Sequence, residues 1–279
     1  MATKKPVSKS SNSPTKKPIT SAKTSVKSST VKAVTVTKRN GLFSTSPLAR
    51  APFIGALVAE LIGTFLLAGA VIAGQGQPII VLFAIAGVVL LIGTLSGAHL
   101  NPAISIAAFV TRKISGLRAL GYVVAQFLGA VLAFALLSAF VNGAAPVSSE
   151  AQAYGQAAAT LFQSTPLPEG KEWYIFFAEL LGATIFGLVM ANALRVKRDQ
   201  LTRAFTVGLG LFVALLLAAS AAAYVGGSAI LNPALALSLQ GLSWELWPLA
   251  VYVLAPVIGA ILGFIVYDII RVESDGGNE

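Results

Sequence analysis

The chain has 279 residues, of which 56% are hydrophobic and only 11% are charged, and it contains one histidine and no cysteine. Soluble domains carry about 25% charged residues, so most of the folded surface must face lipid rather than water. The cysteine count excludes disulfides, thiol catalysis and cysteine-based zinc sites, and one histidine leaves little for a metal cluster, so neither a metal nor another cofactor is expected.

The N-terminal segment differs in composition from the rest of the chain. Residues 1–50 contain eleven of the twenty Lys and Arg residues and no Asp or Glu, so they account for most of the net charge of +9. Residues 1–48 lack an apolar run long enough for a secretory signal, and we interpret them as a disordered basic cytoplasmic tail. The tail is interpreted as a solubilising extension, with a segment that binds anionic lipid headgroups as the main alternative. Its Ser-rich, acid-free composition also resembles an organellar transit peptide, although it contains few Arg residues. No nucleic-acid partner is expected, because no folded reading module accompanies the charge.

Six long apolar stretches follow the tail, and each has the roughly 20 residues that a helix needs to cross the hydrocarbon core. They cover residues 51–74, 78–97, 118–141, 173–194, 204–225 and 246–270. The sequence therefore predicts an all-α membrane protein with six transmembrane helices. The predicted membrane domain extends over residues 49–272 and is followed by a short C-terminal tail, residues 273–279.

Basic residues in the loops predict the orientation of the chain, because short cytoplasmic loops are enriched in Lys and Arg. Eight basic residues follow spans two, four and six: Arg112, Lys113, Arg118, Arg195, Lys197, Arg198, Arg203 and Arg271. The loops on the other side contain Lys171 alone. Both termini are therefore predicted to be cytoplasmic, in a multi-pass protein of the cell membrane.

The two halves of the membrane domain are similar to each other. Three pairs of segments match, at offsets of 119, 131 and 130 residues: 58–64 with 177–183, 100–103 with 231–234, and 125–130 with 255–260. We assign repeat one to residues 51–141, repeat two to residues 173–271, and an extracytoplasmic loop to residues 142–172. Each repeat has three spans, an odd number, so the second crosses the membrane in the opposite sense. Inverted repeats of this kind place a functional site near the midplane of the membrane.

Two Asn-Pro-Ala motifs each follow a span: Asn101-Pro102-Ala103 and Asn232-Pro233-Ala234. They open apolar stretches, residues 102–111 and 233–240, that are too short to cross a membrane. Because Asn caps helices and Pro favours the first helical position, each motif predicts the start of a re-entrant half-helix. The repeat symmetry brings the two caps together at the midplane, where the positive helix ends would disfavour cations and protons in a pore. Asn101 and Asn232 would each offer a side-chain N–H to a passing molecule.

These motifs, with Ser96-Gly97-Ala98-His99 before the first one and a similar Ala-Glu motif opening each half, resemble the aquaporin (major intrinsic protein) family over residues 51–271. The resemblance implies that Asn101 and Asn232 orient the solute. It also implies that Glu60 and Glu179 are buried carboxylates that accept hydrogen bonds from the loops before the half-helices, with a proton-coupling role as the alternative. His99 matches a loop histidine with a structural role.

The resemblance further implies a homotetramer in which every subunit keeps its own pore. Gly- and Ala-rich segments such as residues 121–130 would allow close helix packing in such an assembly.

The chain departs from this family at the outer constriction of the pore. Most members have Arg directly after the second Asn-Pro-Ala, whereas this chain has Leu235. Counting from the motifs, the other constriction positions fall near Val81, Ser220 and Ala229, and none of them is aromatic, charged or imidazole. Replacing a guanidinium by an isobutyl group removes a fixed charge and up to five donors, so the sequence predicts a wider, more apolar constriction.

The leading hypothesis is a passive channel for water, glycerol or a similar small neutral solute such as urea or ammonia, with cation and proton exclusion at the paired motifs. An enzyme is not expected, because the sequence contains no Gly-rich phosphate loop, catalytic triad or redox motif. A secondary transporter also uses inverted repeats and interrupted helices. Because the arginine is missing, an ion channel is a further alternative. A non-conducting structural membrane protein is the last one.

Overall fold

The computed structural model describes residues 51–145, 148, 154–155, 157–195 and 199–276. The predicted basic tail, residues 1–48, and the last three residues of the chain lie outside the described residues. Within the described ranges the regular structure consists of helices and contains no strands.

Each half of the chain has two long helices, then a short half-helix and then a third long helical segment. In chain order they are α1 (Ala51–Ala73), α2 (Pro78–Ser96), α3 (Pro102–Val110), α4 (Gly116–Asn142), α5 (Glu172–Arg195), α6 (Gln200–Ala223), α7 (Pro233–Ser238), α8 (Leu246–Leu249), a π-helical turn (Ala250–Leu254) and α9 (Ala255–Gly276). The described residues contain six segments long and apolar enough to cross a membrane, and α8, the π-helical turn and α9 together form the last of them. The prediction of six spans and two half-helices is confirmed.

Two helix starts differ from the sequence prediction because polar residues cap the helices early. Ser115 Oγ accepts a hydrogen bond from the backbone N–H of Arg118 at 3.4 Å, and Asp199 Oδ1 accepts one from Thr202 at 2.9 Å. Caps of this kind satisfy N–H groups that have no partner in the first turn of a helix. Arg118 and Arg203 consequently lie inside α4 and α6 rather than in the loops.

The packing of the long helices repeats in the two halves. A Cβ at Gly129 would lie 2.3 Å from the carbonyl oxygen of Leu61, and one at Gly259 would lie 2.4 Å from that of Leu180. Gly129 and Gly259 are equivalent positions of the repeat, as are Leu61 and Leu180, so α4 crosses α1 in the same way as α9 crosses α5. Gly129, one of the two glycines in segment 121–130, thus packs within one chain.

Burial is inverted relative to a soluble protein. Large apolar side chains such as Leu91 and Phe140 are exposed on the outside of the bundle, at 66% and 71%. Glu60, Glu179 and Gln126 are fully buried in the interior. Exposed apolar surface of this extent is suited to lipid, whereas buried polar groups need hydrogen-bond partners. The partners of these groups lie at the two half-helices.

Candidate functional site: the central cavity

Each half-helix begins at the asparagine that the sequence predicted. Asn101 Oδ1 accepts a hydrogen bond from the N–H of Ala103 at 2.8 Å, and Pro102 occupies the first turn of α3. Asn232 Oδ1 accepts from Ala234 at 3.0 Å and more weakly from Leu235 at 3.4 Å. The side-chain oxygens are therefore used as caps, and the amide nitrogens face the other half-helix.

The two half-helices are joined cap to cap by a reciprocal pair of hydrogen bonds. Asn101 Nδ2 donates to the carbonyl oxygen of Leu231 at 2.8 Å, and Asn232 Nδ2 donates to that of Leu100 at 2.9 Å. Leu100 and Leu231 have positive φ angles of 55° and 61°, a conformation that costs energy for a branched side chain and persists only when the surroundings hold it. Since an amide carries two N–H groups, each asparagine keeps one donor beyond this bond.

The buried carboxylates hold the loops that precede the half-helices. Glu60 accepts from the backbone N–H groups of His99 and Leu100 at 2.9 and 2.7 Å. Glu179 accepts from those of Ile230 and Leu231 at 2.5 and 2.8 Å. Two N–H donors per carboxylate satisfy backbone groups that would otherwise be unpaired in the protein interior.

The two carboxylates differ in their side-chain partners. Gln126 Nε2 donates to Glu60 at 2.8 Å and to Ser105 Oγ at 3.0 Å, and His99 Nδ1 lies 3.1 Å from the same hydroxyl. At the equivalent positions of repeat two, Gln126 is replaced by Pro256 and Ser105 by Ala236. His99 also packs edge-on against Tyr122, with ring centroids 5.1 Å apart. The first half-helix is therefore held by a side-chain network, and the second by backbone contacts to Glu179.

A cavity of about 60 Å³ lies between the half-helices and the long helices. Asn101, Asn232 and His99 line it, as do three of the four residues that the sequence placed at the constriction, Val81, Ala229 and Leu235. The interface between the half-helices thus opens onto a single space that contains both asparagine amides.

The structure corrects the prediction for the fourth constriction residue, Ser220, which does not line the cavity. Ser220 is exposed on the outside of α6, and Leu211 and Leu215 form the wall of the cavity instead. Four residues, 97–100, connect α2 to Asn101, whereas eight residues, 224–231, connect α6 to Asn232. Counting back from Asn232 to Ser220 therefore stops five residues short of Leu215, and five residues rotate a helix position by about 140°. The result is another aliphatic side chain in the constriction.

Two lining residues come from the loop between the repeats, and no sequence pattern had identified them. Phe162 and Ser164 line the cavity. The N–H of Ser164 donates to the carbonyl oxygen of Leu239 at 2.9 Å, and that of Thr165 donates to Ser228 Oγ at 3.1 Å. These bonds fix the loop across the end of the cavity that faces Leu239.

Basic residues at the opposite end of the bundle have structural partners. The guanidinium of Arg203 donates to the carbonyl oxygens of Gly93 and Gly97, at 3.2 and 2.5 Å, near the end of α2. Lys113 and Arg195 both pair with Asp268 of α9, at 2.8 and 3.2 Å. A cation near the last carbonyls of a helix is favourable, so Arg203 supports the loop that carries the first motif.

Comparison with known proteins identifies relatives of the chain. The family model of the major intrinsic proteins matches residues 75–267. The chain is 31% identical over 217 residues to a glycerol uptake facilitator protein-like 6 of Lactiplantibacillus plantarum, covering 74% of the chain and 93% of the relative. It is 30% identical over 237 residues to nodulin-26 of Glycine max, covering 80% of both. The solved structure of the aquaglyceroporin from Plasmodium falciparum has the same fold, with a TM-score of 0.60 at 21% identity over 78% of this chain and 97% of that chain.

Proposed function

The chain belongs to the major intrinsic protein family and is therefore a passive membrane channel for water or small solutes rather than an enzyme, and we propose that its conduction pathway is the central cavity. The observation that carries this proposal is the reciprocal pair of asparagine bonds, which presents both amides to one space between the half-helices. A solute at this point exchanges hydrogen bonds with water for bonds to Asn101 and Asn232.

The pathway selects neutral solutes and excludes cations and protons. Among the described residues that line the cavity, none is Asp, Glu, Lys or Arg. Glu60 and Glu179 are fully buried and point their oxygens at backbone N–H groups. An ion that enters the cavity loses hydration, and no opposite charge on the described lining residues compensates for it. The free-energy cost of dehydration is therefore far higher for an ion than for a neutral molecule.

Water and solutes of the size of glycerol are the proposed substrates. The side chains at the constriction, Val81, Leu215, Ala229 and Leu235, are no larger than Leu and leave it without a guanidinium. The name of the Lactiplantibacillus plantarum relative, a glycerol uptake facilitator-like protein, supports glycerol as the first solute to test.

The channel is proposed to lie in the cell membrane with both termini in the cytoplasm. The pairing of Lys113 and Arg195 with Asp268 supports this orientation, because it gathers basic loop residues of both repeats at one end of the bundle. Four subunits, each with its own pore, form the proposed assembly. The basic tail, residues 1–48, is proposed to bind anionic lipid headgroups.

Stopped-flow light scattering on proteoliposomes tests the function. Water and glycerol permeabilities above those of protein-free liposomes are expected, together with no ion conductance in planar bilayers. Permeabilities equal to those of protein-free liposomes would exclude a channel. A flux that saturates and follows an ion gradient would instead identify a transporter.

A further inference from the structure

Six apolar side chains line the outer part of the cavity. We define the apolar mouth as Val81, Phe162, Leu215, Ala229, Leu235 and Leu239, all of which line the cavity. They come from α2, the loop between the repeats, α6, the loop before α7, α7 itself and, for Leu239, the residue directly after α7. None of these six side chains can donate or accept a hydrogen bond.

The hydroxyl groups near the apolar mouth are already used by the protein. Ser228 Oγ accepts from the N–H of Thr165 at 3.1 Å and lies 2.7 Å from Thr165 Oγ1. Ser164 Oγ donates to the carbonyl oxygen of Leu239 at 3.3 Å. These bonds hold the loop that carries Phe162 and leave the two serines that line the cavity with only part of their hydrogen-bonding capacity for a solute.

Donors for a solute are instead concentrated at the midplane. Asn101 and Asn232 each retain one amide N–H after the bond to the opposite half-helix. Both of these groups donate, so they suit a carbonyl or hydroxyl oxygen. A solute that passes the apolar mouth therefore needs one strong acceptor for the midplane and gains nothing from further polar groups on the way.

We propose that this channel prefers small neutral solutes with a single carbonyl or hydroxyl oxygen and an alkyl flank over solutes of the same size in which the alkyl group is replaced by a polar one. The proposal rests on conduction through the central cavity. An alkyl flank packs against Leu215, Leu235 and Phe162 at no cost in hydrogen bonds. A polar flank loses its bonds to water over the length of the apolar mouth.

Acetamide and urea form a matched pair for the test, since they have nearly the same size and differ by a methyl group in place of an amino group. Alkyl solutes also cross lipid more readily, so the quantity to compare is the permeability of proteoliposomes minus that of protein-free liposomes. We expect this protein-dependent permeability to be about fivefold or more higher for acetamide, as one unpaired amide group is worth about that factor.

Substitutions within α7 provide the control. Leu235→Asn keeps the branched shape and the number of side-chain heavy atoms and adds an amide at the apolar mouth, so it should bring the ratio of acetamide to urea permeability towards one. Leu237→Asn makes the same change two residues further along the chain, on a partly buried side chain that does not line the cavity, and should leave the ratio unchanged. If Leu235→Asn fails to fold, Ala229→Ser tests the same point with a smaller change.

Water permeability measured in the same vesicles separates this inference from the proposed function. Vesicles no more permeable to water and glycerol than protein-free liposomes would overturn conduction itself. Vesicles that conduct water but pass urea as fast as acetamide would support conduction and overturn the preference for alkyl solutes. The same conclusion holds if the vesicles conduct water and pass neither amide. A ratio lowered equally by Leu237→Asn would also overturn it.

Discussion

At the scale of single residues, the channel depends on polar side chains that use different atoms for different tasks. The oxygens of Asn101 and Asn232 cap their own half-helices, while their nitrogens bind the opposite loop and line the cavity. Glu179 has only backbone partners in the hydrogen bonds described, and Glu60 has Gln126 in addition. Truncating an asparagine therefore affects helix capping, the contact between the halves and the solute at the same time.

Asn101→Ala should reduce water permeability by about fivefold, because one donor worth about 1 kcal/mol no longer compensates the lost hydration of the solute. Losing the cap should also lower stability by about 0.5–2 kcal/mol, which leaves folded protein in the membrane. Stopped-flow shrinking of proteoliposomes measures the effect, with Asn232→Ala as the symmetric partner. Unchanged permeability and ion exclusion in both variants would remove the two asparagines from the pathway.

Leu235→Arg should lower the ratio of glycerol to water permeability, since a guanidinium narrows the constriction and adds a positive barrier. The new charge is buried without an assigned partner and costs several kcal/mol at membrane depth, so expression and oligomeric state are checked first. Leu237→Arg carries the same side chain outside the cavity and serves as the control. An equal ratio in well-folded Leu235→Arg and wild-type protein would show that position 235 does not set the filter.

At the scale of helices and loops, close contacts determine which faces meet the pore. The crossing of α1 and α4 leaves no room for a Cβ at Gly129, whereas Gly69, towards the C-terminal end of α1, has open space around it. The loop between the repeats makes a similarly close contact with the loop between α1 and α2. Phe162 Cζ lies only 2.5 Å from the position of a Cβ at Gly76. Both contacts depend on backbone positions that the local sequence does not reveal.

Gly129→Ala should destabilise the protein by about 1–3 kcal/mol, because the added methyl meets the backbone of α1 and cannot be accommodated by a side-chain rotation. Gly69→Ala should be neutral or stabilising, since Ala favours a helix over Gly by about 0.5–1 kcal/mol. Thermal unfolding followed by circular dichroism in detergent compares the two variants. A melting temperature lowered equally in both would contradict the crossing at Gly129.

Phe162→Ala should raise glycerol permeability more than water permeability, because it opens the outer end of the cavity where the ring lies. Gln163→Ala, at the exposed neighbouring position, is the matched control. The two permeabilities are measured in the same proteoliposomes. If the ratio stays at its wild-type value, the ring does not narrow the pathway.

At the scale of the whole molecule, the two repeats enclose the central cavity and leave a wide apolar surface outside. Leu91 of α2, Phe140 of α4 and Phe177 of α5 are 66%, 71% and 58% exposed. Lipid or neighbouring subunits must cover this surface. The exposed faces, rather than the glycines of segment 121–130, are available for contacts between subunits.

A homotetramer is the expected assembly, and native mass spectrometry in mild detergent should give four times the chain mass of 28.7 kDa. Tetramers leave one pore in each subunit, so permeability per chain should not depend on the interfaces. A monomer that conducts water at the full rate would contradict the assembly without contradicting the pore.

Much of this architecture follows from the amino-acid sequence alone. Span length and hydropathy predict the six helices, the offsets between matching segments predict the inverted repeat, and cap chemistry predicts the half-helices at Asn101 and Asn232. These features are determined by the sequence because insertion into lipid and helix capping depend on neighbouring residues along the chain. The resemblance implied that Glu60 and Glu179 accept hydrogen bonds from the loops, and in the structure each carboxylate accepts two from backbone N–H groups there.

The composition of the constriction was decided by the tertiary structure. Leu215 lines the cavity and the predicted residue, Ser220, does not, because the loop before Asn232 is long. A longer loop places an earlier turn of α6 beside the cavity. Phe162 reaches the pore only through bonds between its loop and residues more than sixty positions away, Ser228 and Leu239. A hydrophobic helix in lipid can be apolar on every face, so its sequence does not mark the side that faces the pore. That side is chosen by packing against the other helices and by the long loop.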